Sequence, residues 1–125
     1  MKISDYFKTA KGMGILATAD SKGAVDIAVY AKPHVIDDEN IAFIMAEKLT
    51  YENLKSNPHA AYMFIEEEEK VKGVRLILKK TKEEKDSAKI DEIRRKEYPN
   101  LKGKEYLVYL HVEKTLPLIG VGKEA

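Results

Sequence analysis

The chain has 125 residues, 44% of them hydrophobic and 34% charged, a composition that suits one globular domain over 1–125 and not a disordered chain. Its 22 basic and 21 acidic residues leave a formal net charge of +1, so no global field exists to hold nucleic acid or an anionic membrane. The absence of Cys excludes disulfides, thiolate metal sites, iron–sulfur clusters and a cysteine nucleophile. No apolar run approaches the ~20 residues of a membrane span, and the first residues lack an apolar signal core, so the expectation is a soluble, cytoplasmic protein. A chain this short leaves little room for a large enclosed active site.

In chain order, a short helix opens the sequence, with Ser4 as its cap, Tyr6 and Phe7 as its apolar contacts and Gly12 as its stop. Residues 14–20 (GILATAD) read as a strand, Ser21-Lys22-Gly23 as a turn, and 25–32 (VDIAVYAK) as a second strand. In that strand Val25, Ile27, Val29 and Ala31 share one face, and Asp26, Ala28, Tyr30 and Lys32 the other. Pro33 argues against a central strand at that point.

The polar run Asp37–Asn40 turns the chain into a third strand at 40–47. Residues 48–58 then spell a two-turn helix, with Thr50 as the expected N-cap and Pro58 as its end. Further strands are expected at 60–67, 73–81 and 105–115, with a charged helix from Glu83 to Tyr98 that ends at Pro99. The tail carries Leu116, Pro117, Leu118 and Ile119, too apolar for a solvated end. Six short strands without βαβ alternation predict a mainly β barrel or sandwich with flanking helices.

Most chemical motifs are missing. His34, His59 and His111 are widely separated and lack ligand spacing. No HExxH, GxSxG or GxxxxGK[ST] pattern occurs, and Gly12-Met13-Gly14 precedes a strand instead of following one. Residues 79–104 hold ten Lys/Arg and six Asp/Glu, interleaved as on a solvated helix face. Tyr106 and Tyr109 point to opposite faces of a strand and make no stacking platform for single-stranded nucleic acid. One anion site remains: Lys48 at a strand end, two residues before the expected cap Thr50. Unpaired N–H groups at a helix start attract an anion, and Lys48 adds a full charge.

The stretch from Ala17 to Ile65 resembles the pyridoxamine-phosphate-oxidase-like family of FMN-binding split barrels. The most telling part is Lys48-Leu49-Thr50-Tyr51-Glu52-Asn53-Leu54-Lys55-Ser56-Asn57-Pro58. It is similar to the family's basic residue, hydroxyl residue, Asn-Leu and Asn-Pro before the fourth strand. The small Ala17-Thr18 step, the Gly23 turn and Gly73-Val74-Arg75-Leu76 also fit, so the resemblance covers roughly 4–115.

The resemblance implies a six-stranded antiparallel split barrel that forms a homodimer with FMN at the interface. By position, Lys48 and Thr50 would hold the phosphate. Ala28, Val29 and Tyr30 would lie along the flavin ring, with backbone N–H groups reaching its pyrimidine edge. Met45 and Ala46 would line the same pocket, and Asn53 would support the phosphate loop or the ribityl chain. It further implies a flavin-dependent oxidoreductase or flavin reductase, with a small-molecule or nicotinamide electron donor. No second basic cluster suits pyridoxamine phosphate. The alternatives are the same barrel holding heme, with His34 or His111 as axial ligand, or a deazaflavin, and a non-catalytic interaction module.

Overall fold

Period-two alternation of apolar residues dominates the chain, and the chain folds accordingly into one antiparallel sheet. In the computed structural model, residues 2–85, 88–97 and 105–120 are described. The strands are β1 (Gly12–Ala19), β2 (Val25–Val29), β3 (His34–Val35), β4 (Asn40–Ala46), β5 (His59–Glu66), β6 (Gly73–Lys85) and β7 (Glu105–Pro117). The helices are α1 (Ile3–Thr9), α2 (Leu49–Ser56) and α3 (Ala88–Glu97). Spatial order along the sheet is β2-β1-β5-β6-β7-β4-β3.

The two ends of this order are consecutive in sequence. Residues 30–33 leave β2 at one edge of the sheet and enter β3 at the other, so they cross the gap where the barrel is split. One face of the sheet closes around the core of Leu16, Tyr62, Phe64, Leu76, Leu78 and Leu110, all fully buried. Three aromatic rings extend that core toward the split: Tyr62 packs on Phe43 at 5.1 Å, and Phe43 on Tyr30 at 5.4 Å.

The expected mainly β split barrel with flanking helices is the observed fold, with one strand more than the six expected. The addition is β3, only two residues long, paired with β4 through His34↔Ala42 and Val35↔Ile41. It follows Pro33 at the sheet edge, where a proline is tolerated. Other differences are local. Gly12 does not stop α1, which ends at Thr9, but opens β1. A Cβ at Gly12 would collide with the Ile65 carbonyl of the neighbouring strand, so close strand approach demands glycine there. Ser4 lies inside α1, and its hydroxyl donates to Asp38.

Glu83–Lys85 are not helical. They continue β6, paired with Val108, Leu107 and Tyr106 of β7. The local charge pattern suits a helix, but pairing with β7 anchors Tyr109 to Glu84 at 2.5 Å and overrides it. Tyr98 and Pro99, the expected helix end, lie outside the described residues.

The outer face of the sheet falls into two halves. Over β4 and β7, α3 covers Ala42, Leu107 and Tyr109 with Ile90 and Ile93. Over β2, β1 and β5 no described element lies on the apolar rows Val29–Ile15–Met63 and Ile27–Ala17–Ala61. Val25, Ile27 and Val29 are 82%, 69% and 72% exposed.

Candidate functional site

β2 ends the sheet, so one of its two backbone edges is open among the described residues. The Asp20 N–H donates to Ala24 at 2.9 Å and the Tyr30 N–H to Gly14 at 3.0 Å. In an antiparallel pair the bonding residues alternate. The even-numbered residues of β2 therefore face β1, and Ile27 and Val29 present N–H and C=O to the open edge. The tight entry into β2 comes from Gly23, whose φ of +87° favours glycine, and from Asp20 Oδ1, which accepts from Lys22 and Ala24 at 2.9 Å each.

α2 packs beside this edge, against β1, β2 and β4. Two contacts hold it there. Asn53 Nδ2 donates to Thr18 Oγ1 at 3.1 Å in a buried setting. The Thr50 hydroxyl meets the Tyr30 phenol, whose pKa is pushed up chiefly by burial and eased by that contact.

The N-cap of α2 is Lys48, not Thr50. Glu52 N–H already donates to Lys48 at 2.9 Å. The orphan donors are therefore those of Leu49, Thr50 and Tyr51, two residues earlier than the sequence suggests. No side chain caps the helix. Lys48 is exposed and has no ion-pair partner among the described residues. Both neighbouring carboxylates are engaged elsewhere: Glu47 accepts from Tyr106 at 2.5 Å, and Glu52 pairs with Lys55 at 3.5 Å. The cation at the N-cap and the three free N–H groups after it, with Glu47 and Glu52 bonded to other partners, favour an anion.

The eight sequence-predicted residues divide by which way they face. Lys48, Val29 and Ala46 are exposed. Ala28 and Tyr30 are half-buried and turned to the inner face, and Thr50 and Asn53 are buried beneath α2. Met45 is 1% exposed and belongs to the core, so it does not share a surface with its neighbour Ala46. Period two forces this separation.

Sequence reasoning missed the exposed Leu49 at the first turn of α2 and Met13 on the outer face. It also missed Tyr62, whose hydroxyl reaches the Tyr30 and Ala31 carbonyls. Alternation along β1 and β5 could have found the outer row, but nothing in the sequence marks Tyr62.

Among the described residues no group of three or more His, Asp or Glu could hold a metal ion, and no helix is long and apolar enough to cross a membrane. Of the two histidines named as axial candidates, His111 engages Glu113 at 2.8 Å.

No protein-family model and no curated protein sequence matches the chain. Solved structures do. An FMN-binding protein from Syntrophomonas wolfei aligns at a TM-score of 0.78 with 24% identity, over 95% of this chain and 85% of that one. A candidate pyridoxamine 5′-phosphate oxidase from Lactobacillus delbrueckii aligns at 0.67 with 21% identity, over 90% and 88%. HutZ, the heme storage protein of Vibrio cholerae, aligns at 0.67 with 20% identity, over 91% and 90%. These likenesses define the class by fold: the chain has the split-barrel architecture of these structures.

Proposed function

We propose that this protein binds FMN as a homodimer, with the cofactor at the interface. The carrying observation is the uncovered apolar face of β2, β1 and β5 lying beside an anion-attracting helix start. A phosphate suits Lys48 and the N–H groups of Leu49, Thr50 and Tyr51. A flat apolar ring with a polar edge suits the open edge of β2, where Val29 supplies both an outward side chain and backbone groups. Ala28 shapes the strand from its inner side, and Ala46 leaves the end of β4 without bulk.

The buried members of the predicted set act indirectly in this reading. Asn53 and Thr50 anchor α2 on β1 and β2, and Met45 packs the core under the site. A second copy of the chain covers the apolar rows and completes the pocket, which answers how so short a chain can enclose a cofactor. Exposed apolar surface of this extent marks an interaction site.

Bound FMN supplies hydride or electron transfer, and the protein supplies position and electrostatics. The reading extends to a cytoplasmic flavin-dependent oxidoreductase or flavin reductase that takes electrons from a nicotinamide donor. Tyr30 is no acid or base for that chemistry, because its phenol is turned inward onto Thr50 and Phe43.

The visible spectrum of freshly purified protein tests the reading, followed by anaerobic addition of NADH or NADPH. Flavin bands that bleach on reduction support it. A Soret band assigns heme instead, and a colourless protein that takes up no FMN at micromolar concentration leaves the barrel as a non-catalytic interaction module.

A further inference from the structure

Tyr62 stands on β5, in the middle of the sheet, and is fully buried. Its hydroxyl reaches the carbonyls of Tyr30 at 3.2 Å and Ala31 at 3.0 Å, where the chain leaves β2 to cross the split. β1 makes room for this reach. A Cβ on Gly14 would collide with the Tyr62 hydroxyl and the Tyr30 carbonyl, so only glycine fits beside that hydroxyl. Gly14 also accepts the Tyr30 N–H, at 3.0 Å. Tyr30 is therefore held at its N–H by β1 and at its carbonyl by β5.

Partly buried carbonyls at a strand end need donors where the ladder stops. β2 loses its ladder partner beyond Gly14, and the phenol supplies the donor that the ladder no longer can. Phenylalanine would fill the same space in the core without that donor.

We propose that Tyr62 is a positioning residue for the flavin-binding end of β2: its hydroxyl, admitted by Gly14, sets where Val29 presents its open backbone edge across the split. The inference rests on the FMN reading above and assigns the ring half of that site to a residue that touches no ligand. A ligand edge that must meet fixed backbone groups is sensitive to small displacements of the strand that carries them.

The test compares FMN and riboflavin binding by fluorescence quenching in wild type, Tyr62→Phe, Gly14→Ala and Lys48→Ala. Tyr62→Phe is expected to weaken both ligands by a similar factor of about ten, leaving their affinity ratio unchanged. Gly14→Ala should act in the same direction, while Lys48→Ala should change the ratio. At saturating FMN, Tyr62→Phe should also alter the visible absorbance and circular dichroism of the bound flavin, which a loss of global stability alone does not do. Unfolding monitored in the far ultraviolet confirms that each variant is folded at the assay temperature.

Unchanged affinities and an unchanged flavin spectrum in folded Tyr62→Phe would overturn the inference and leave the FMN reading intact. A change in the FMN-to-riboflavin ratio would overturn it equally, because the hydroxyl would then serve the phosphate end. Failure of the wild type to bind either flavin would sink the FMN reading, and this inference with it.

Discussion

The rings of Tyr51 and Tyr106 stack at a centroid separation of 4.2 Å, with 16° between their planes. They join α2 to β7, two elements with no backbone hydrogen bond between their described residues. Their hydroxyls diverge to different carboxylates, Tyr51 to Glu83 and Tyr106 to Glu47 at 2.5 Å. Lys80 completes the group with a 2.5 Å ion pair to Glu83. The stack thus pins the helix that carries Lys48 to the long β6–β7 strand pair.

Tyr51→Leu removes the stacking ring and the hydroxyl together. It should destabilise the fold by about 3 kcal/mol, within the range for large-to-small core changes. Tyr51→Phe keeps the ring and should cost only about 1 kcal/mol. Chemical denaturation distinguishes them, and equal losses would show that the hydroxyl, not the stack, dominates.

Lys48→Ala should weaken FMN about tenfold, the equivalent of one charge-assisted hydrogen bond at an exposed site. Riboflavin lacks the phosphate and should bind within about twofold of wild type by the same arithmetic. Equal losses for both flavins would remove the phosphate from the start of α2.

Ile27→Lys places a charge in the middle of the uncovered apolar row. The side chain is 69% exposed in one chain, so the fold should survive. If the proposed dimer forms through this row, light scattering should give a dimer for the wild type and a monomer for Ile27→Lys, and FMN affinity should fall with the lost half of the pocket. A dimer that persists would move the interface elsewhere.

Stability should be flat across neutral pH and fall at both ends. Burial opposes ionisation of Glu83, but the Lys80 and Tyr51 contacts outweigh it and hold its pKa below the ordinary 4.5. A depressed carboxylate stabilises the fold above that ordinary value, and the contribution is lost as pH falls through the lowered one. Burial pushes Tyr109 up to about 12, reinforced by its bond to Glu84, and raises Tyr6 and Tyr51 in the same direction. These phenols stabilise fully below their ordinary 10.0, and the contribution is lost as pH rises through the raised values. Thermal midpoints across the pH range check both limbs. In Glu83→Gln the acid limb should flatten, and an unchanged limb would assign acid sensitivity to other carboxylates.

The sequence by itself determined every strand but the two-residue β3 and, through its resemblance to a known family, the split-barrel class. Alternation in β1, β2 and β5 is a local, period-two signal, and a strand needs little more than that signal and a turn such as Asp20–Gly23. It also determined that a short helix follows the third expected strand close to Lys48. Three things were decided only by tertiary structure. Glu83–Lys85 carry a helical charge pattern, yet β7 recruits them into a strand, because pairing between distant segments outweighs a weak propensity. Thr50 has the chemistry of an N-cap, yet it is buried as the second residue of α2, where it packs on Tyr30 and the helix starts after Lys48. The role of Tyr62 depends on a hydroxyl crossing from β5 to β2 over a glycine in β1. Such a contact joins three segments far apart in the chain, and no local pattern of residues encodes it.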